Sequence, residues 1–148
     1  MGNDRDTTTG VGCFGCSSEN PRGLALEFRR DGESVLAETT LDETFAGYDG
    51  MVHGGIVTTL LDEAMGWAIL ELAGRFAVTR SLQVGFRRPA FVGKPLKVEA
   101  HLAGVEEDGA LRVEASVRDS RDRVMASATG FWVLVRESRV RGAKAVRP

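Results

Sequence analysis

Residues 51–67 read Met51-Val52-His53-Gly54-Gly55-Ile56-Val57-Thr58-Thr59-Leu60-Leu61-Asp62-Glu63-Ala64-Met65-Gly66-Trp67. Within and just beyond this stretch, Ile56, Val57, Leu60, Leu61, Ala64, Met65, Ala68 and Ile69 recur at i, i+1, i+4, i+5. That period, near 3.6 residues, predicts a helix with one broad apolar face. Two glycines open it, so its first backbone N–H groups meet a ligand without side chains in the way. Such amides suit a carbonyl oxygen that gains negative charge. At about 100° per residue, Gly55, Thr59, Asp62 and Gly66 fall in a narrow stripe opposite the apolar face, with Glu63 beside it. Composition alone leaves Asp62 and Glu63 readable as merely solvated acids. The small residues around Asp62 favour close approach by another chain or a ligand. The combination suggests acyl-transfer chemistry.

Helix geometry constrains that chemistry. From Gly54 to Asp62 is about 12 Å along the axis at 1.5 Å per residue. Reacting atoms must come within roughly 3–3.5 Å of each other. Asp62 therefore cannot attack a carbonyl held at the start of its own helix. A second copy of the helix, antiparallel across a two-fold axis, would bring Asp62 of one chain to Gly54 of the other. An isologous dimer supplies two such sites.

Around the helix the pattern changes to strands. Leu24–Arg30 and Ser34–Thr40 are predicted strands joined at Asp31-Gly32, and the Gly- and Asp-rich segment 44–52 is the loop feeding the helix. Gly74 is the predicted helix stop. Phe76–Arg88 alternates up to Pro89, and Leu96–Val105, Ala110–Asp119 and Val124–Arg136 follow, with turns at Gly93, Asp108-Gly109 and residues 120–122. Two strands, a long helix and four strands predict an α+β fold, an antiparallel sheet wrapped around one central helix.

The chain has 148 residues and a formal charge of −2. That length suits one domain with a sizeable core, and the mixed charge argues against general nucleic-acid binding. No run of 18 apolar residues is present and the first ten residues are polar, so we expect neither a membrane span nor a signal peptide, and a cytoplasmic protein. Residues 1–12 read as a flexible N-terminus, 13–136 as the domain and 137–148 as a basic, solvated tail.

These features resemble the PaaI-like group of hotdog-fold acyl-CoA thioesterases. The likeness rests on the His53-Gly54-Gly55 helix start, Asp62 nine residues after the histidine, and the strand order. Further matching stretches are Cys13-Phe14-Gly15-Cys16, Asn20-Pro21-Arg22-Gly23-Leu24, Ala77-Val78-Thr79 and Phe86-Arg87-Arg88-Pro89. The resemblance implies an enzyme that hydrolyses an acyl-CoA to free acid and CoA without cofactor or metal, as a homodimer that pairs into a tetramer. Asp62 matches the catalytic carboxylate, either general base or direct nucleophile. Gly54 matches the residue whose N–H polarises the thioester carbonyl, with Gly55 adjacent, and His53 matches a histidine that shapes the helix start. Thr79 matches a Ser/Thr position that holds the attacking water. One position departs: where many members carry Asn or Gln six residues before the histidine, this chain has Gly47. Tyr48 or a bound water would then supply any second contact to the carbonyl oxygen. Since hotdog domains also serve as hydratases and sensors, a non-catalytic acyl-CoA-binding module is the alternative.

Other candidates carry less. Arg87 and Arg88, among Arg80, Lys94 and Lys97 near Pro89, are candidate contacts to coenzyme A phosphates, and otherwise a solvated face. Glu63 is expected beside the substrate. Cys13 and Cys16 form a lone Cys-x-x-C; zinc would need two further ligands, and the spacing of His53 and His101 offers none. They read as reduced structural thiols. No Gly-x-Ser-x-Gly elbow is present.

Overall fold

The computed structural model describes residues 12–136; the expectations for the N-terminus before Gly12 and for the basic tail lie outside them. Six strands form one antiparallel sheet: β1 (Arg29–Asp31), β2 (Ser34–Thr40), β3 (Phe76–Phe86), β4 (Pro95–Val105), β5 (Leu111–Asp119) and β6 (Val124–Val135), in the order β1-β2-β4-β5-β6-β3. The helix α1 (Gly54–Ala68) lies across one face of this sheet, chiefly against β4 and β5. This is the α+β hotdog arrangement.

The predicted periodicities explain the packing. Leu60, Leu61, Ala64, Met65 and Ala68 of α1, and Ile69 just after it, are fully buried. Leu96, Val98 and Ala100 of β4 and Val113, Ala115 and Val117 of β5 meet them, while Lys97, Glu99 and Glu114 between them face outward. Fully burying one such Leu, Val or Met side chain contributes about 1.5–3 kcal/mol. Past Ala68 the chain makes one π turn, Ile69–Ala73, and stops at Gly74, whose φ of 64° lets its N–H reach back to the Leu70 carbonyl.

Several sequence expectations need correction. The predicted strand Leu24–Arg30 shrinks to Arg29–Asp31. Ala25 sits at φ 49°, a left-handed conformation that breaks a strand, and the N–H groups of Leu24 and Leu26 pair with the carbonyls of Phe14 and Gly15. Leu24, Leu26 and Phe28 alternate because they pack on α1, with Phe28 stacked on Trp67 at 6.2 Å. Gly66, expected on the open stripe, is also buried. The hairpin turn falls one residue later than read, with Asp31 opposite Ser34 and Gly32 at φ 62°.

β3 ends at Phe86 rather than Arg88; the N–H groups of Arg87 and Arg88 both turn to the Met125 carbonyl. Its pairing with β6 slips between Thr79 and Ser81, so Arg80 is an extra residue in the strand. Ala77 and Thr79 before the slip, and Leu82, Val84 and Phe86 after it, stand opposite Leu134, Trp132, Gly130, Ala128 and Ala126. All five therefore look toward α1 despite the odd spacing between Thr79 and Leu82.

Candidate active site

The start of α1 is capped by its own histidine. His53 Nδ1 accepts the Gly55 N–H at 2.9 Å, and the His53 carbonyl accepts the N–H groups of Ile56 and Val57. An accepting Nδ1 puts the imidazole proton on Nε2, as inferred from this bond. The Gly54 N–H is left as the first helix amide without an acceptor among the described residues. His53 is therefore a cap that selects which amide stays available.

The glycines here have steric causes. A Cβ on Gly55 would lie 3.0 Å from His53 Nδ1, and one on Gly47 would lie 3.2 Å from the His53 Cα. The loop before α1 packs so closely on His53 that a larger side chain at position 47 would force the histidine to shift. Gly54 faces the Phe86 ring, which a Cβ would meet at an ordinary 3.8 Å.

Gly54 opens on a cleft of about 770 Å³, whose lining includes Tyr48, His53, Phe86, Arg87 and Arg88. Tyr48 is 82% exposed and Phe86 58% exposed, so two aromatic side chains stand in solvent at its rim. Arg88 also donates to the Val124 carbonyl at 3.3 Å. Beyond Arg88 a second cleft of about 440 Å³ continues, bordered by Lys94, Arg121 and Arg123. Arg121 and Arg123 escaped the sequence reading because the β5–β6 turn, not chain proximity, brings them to Arg88. Arg123 is held by Asp119 at 2.7 Å, and Arg80 is paired with Asp108 at 2.6 Å on the sheet surface.

Asp62 and Thr79 do not line the Gly54 cleft. They meet each other: the Thr79 hydroxyl donates to Asp62 Oδ1 at 2.6 Å. A hydrogen bond to an ionised group of this kind is worth about 1.5–3 kcal/mol. It holds one oxygen of the carboxylate in place. Glu63 does not line the cleft either. Its carboxylate lies 3.6 Å from Cys13 Sγ and against Gly15, where a Cβ would come within 2.6 Å of it. Cys13 and Cys16 are reduced, with no disulfide between them. The hydrogen bond from Cys16 pulls the Cys13 thiol down to about 7, against opposing effects of burial and the Glu63 charge. His101 pairs with Glu114 at 3.2 Å on the outer sheet face, away from α1.

Comparison with known proteins agrees with this fold. The chain belongs to the thioesterase superfamily, whose family model matches residues 49–126, from the loop before α1 into β6. A Pseudomonas aeruginosa protein named as an esterase is 30% identical, over 84% of each chain. A crystal structure described as a thioesterase superfamily protein, RHA08564, superposes with a TM-score of 0.75 at 26% identity, over 80% of this chain and 61% of that one. At 19–20% identity, two further structures share the fold. The PaaI protein of Escherichia coli, from the phenylacetic acid degradation operon, has a TM-score of 0.68 and covers 76% of this chain and 81% of its own. A Streptococcus mutans protein bound to acetyl CoA has a TM-score of 0.67, over 74% and 88%. The chain spans about half the length, 53%, of a Lecanicillium relative named verlamelin biosynthesis protein B, which is 26% identical over 64% of this chain. Among the described residues no helix is long and apolar enough to cross a membrane.

Proposed function

We propose that this protein hydrolyses an acyl-CoA thioester in a site shared by two chains. The observation that carries the reading is the split on α1. A spare amide, Gly54 N–H, opens on a cleft, while a carboxylate oriented by Thr79 lies about 12 Å down the same helix. Each half has the chemistry the other lacks. Family membership makes thioester hydrolysis the reaction such halves would perform, and the fold-level likeness to a protein bound to acetyl CoA supports coenzyme A as the carrier.

In this mechanism the thioester carbonyl accepts the Gly54 N–H, and the same bond strengthens as the oxygen becomes an oxyanion. Removing one donor of this type costs about 10²–10³-fold in turnover. The partner's Asp62 takes the proton of a water as that water attacks the carbonyl carbon. If Asp62 itself attacks, it forms an anhydride that water then opens. Either route expels the CoA thiolate and leaves the acid. The Thr79 hydroxyl keeps Oδ1 occupied and the carboxylate in one rotamer. Arg87 and Arg88, with the basic second cleft beyond, would face the nucleotide phosphates; Tyr48 and Phe86 would flank the acyl or pantetheine portion. The dimer, and any tetramer built from it, belongs to this proposal.

The second reading, a binding module without turnover, is favoured by one feature: Gly47 supplies no side-chain donor to assist Gly54. A panel of acyl-CoAs assayed for thiol release separates the two. Release that disappears in Asp62→Asn supports the hydrolase. Tight acyl-CoA binding with no release across the panel supports the sensor.

A further inference from the structure

The N-terminal loop brings a third polar cluster together away from the cleft. Residues 13–16 fold as a tight turn closed by the Ser17 N–H on the Cys13 carbonyl, at 2.9 Å. The carbonyls of Phe14 and Gly15 are pinned by the N–H groups of Leu24 and Leu26. The turn is thus held from both sides, and it lies over the middle of α1 at Glu63. Sγ of Cys13, Sγ of Cys16 and a Glu63 carboxylate oxygen all fall within 4.8 Å of one another. Cys16 is 4% exposed, whereas Cys13 and Glu63 are half-buried, so one side of the cluster opens to solvent.

We infer that Cys13, Cys16 and Glu63 bind a thiophilic divalent cation, with zinc the best match and a water as the fourth ligand. Two thiolates and one carboxylate are a donor set zinc accepts. Bonds of about 2.0–2.3 Å in a tetrahedron put donor atoms roughly 3.3–3.8 Å apart. The present spacing needs only small side-chain rotations to close. Gly15 is required for this geometry, since any side chain there would displace the carboxylate. The Cys-x-x-C alone offered two ligands; the third comes from a residue 50 positions away, supplied by the fold. On binding, the cysteine thiol protons leave to solvent and the cation joins the N-terminal segment to α1 one residue from Asp62. The site is a structural clamp on the helix and is independent of the hydrolase proposal.

The test uses the full chain, reduced and stripped with a chelator, then titrated with cobalt(II) and zinc(II). We expect one cobalt per chain, with thiolate-to-metal charge-transfer absorption and the intense visible bands of tetrahedral cobalt, all displaced by zinc. Cys13→Ser and Cys16→Ser should each abolish the charge-transfer signal of a two-thiolate site, and Glu63→Gln should weaken cobalt binding about 10–100-fold while retaining that signal. Should the buried Cys16→Ser fail to fold, half-exposed Cys13→Ser and a zinc-induced rise in Tm of the native chain carry the test. Absence of charge-transfer absorption, affinity unchanged in Glu63→Gln, or a Cys13–Cys16 disulfide that forms in air as fast with zinc added to the reduced protein as without it would each overturn the inference. The last outcome would make the pair a redox dithiol.

Discussion

The two edges of the sheet are built on opposite principles. β1 is three residues long, carries Arg29, Arg30 and Asp31, and is followed at once by a two-residue turn. Short, charged edges of this kind resist pairing with another strand. β3 is eleven residues long, and Val78 at 50% and Phe86 at 58% leave apolar side chains in solvent. A long open edge with exposed apolar residues invites a partner strand. The protected edge bears no candidate site residue, whereas the open one bears Thr79. The contrast teaches that the unprotected edge is where the second half of the site is to be sought.

The sharpest way to break this contrast is to charge the two edges in turn. If the proposed dimer pairs its chains along β3, Val78→Lys should place like charges across that contact, give a monomer by light scattering, and remove the proposed hydrolysis with it. Arg30→Ala should leave mass and rate unchanged, as surface substitutions usually shift stability by no more than about 0.5 kcal/mol. A monomeric Val78→Lys with full activity would end the shared-site model. Next in size is Asp62→Asn, which should lower turnover about 10²–10⁴-fold while acyl-CoA binding survives. Mixing it with Gly54→Pro, which lacks the N–H donor, should restore one working site per heterodimer, provided the proline variant folds. Near-native turnover of Asp62→Asn would remove that residue from the mechanism.

Smaller effects refine the picture. Thr79→Val keeps the shape of the side chain and deletes its hydroxyl; it should lower kcat roughly 10–100-fold, the equivalent of one charge-assisted hydrogen bond. An unchanged kcat would mean that the β3 edge contributes association only. Smallest is Arg88→Ala, expected to raise KM for acyl-CoA about tenfold with little change in kcat, because a phosphate contact acts on ground and transition states alike. An acyl-pantetheine lacking the nucleotide phosphates should scarcely register the substitution. Equal weakening of both substrates would assign Arg88 to the sheet, where it already bonds the Val124 carbonyl.

Much of this was legible in the chain because the features are local. The Gly54–Ala68 helix, its glycine stop and the strands β2 and β4–β6 follow from periodicity and turn residues within short windows. Leu24–Phe28 was misread because alternation reports burial, not pairing, and Ala25 adopts a backbone conformation its residue type does not announce. The resemblance pointed to Asp62 and Thr79 separately, with Thr79 as holder of the attacking water; their hydrogen bond to each other comes from the fold. Glu63 against Cys13, and Arg121 and Arg123 beyond Arg88, depend on tertiary packing across many residues. No motif marks such meetings. Nor did anything in residues 76–88 signal the slip at Arg80.

That slip has a consequence for how the chain can change. In a regular strand, moving a hydroxyl one position along also turns it to the other face, so site and core are locked in one phase. The extra residue at Arg80 acts as a phase adjuster between two rulers: residues 76–79 are indexed to the carboxylate of α1, and residues 81–86 to the core and the cleft wall. Deleting Arg80 would join the two rulers in one regular register, with Thr79 still opposite Trp132 and Ser81 opposite Phe131, so the chain can gain or lose a residue here without turning Thr79 away from Asp62.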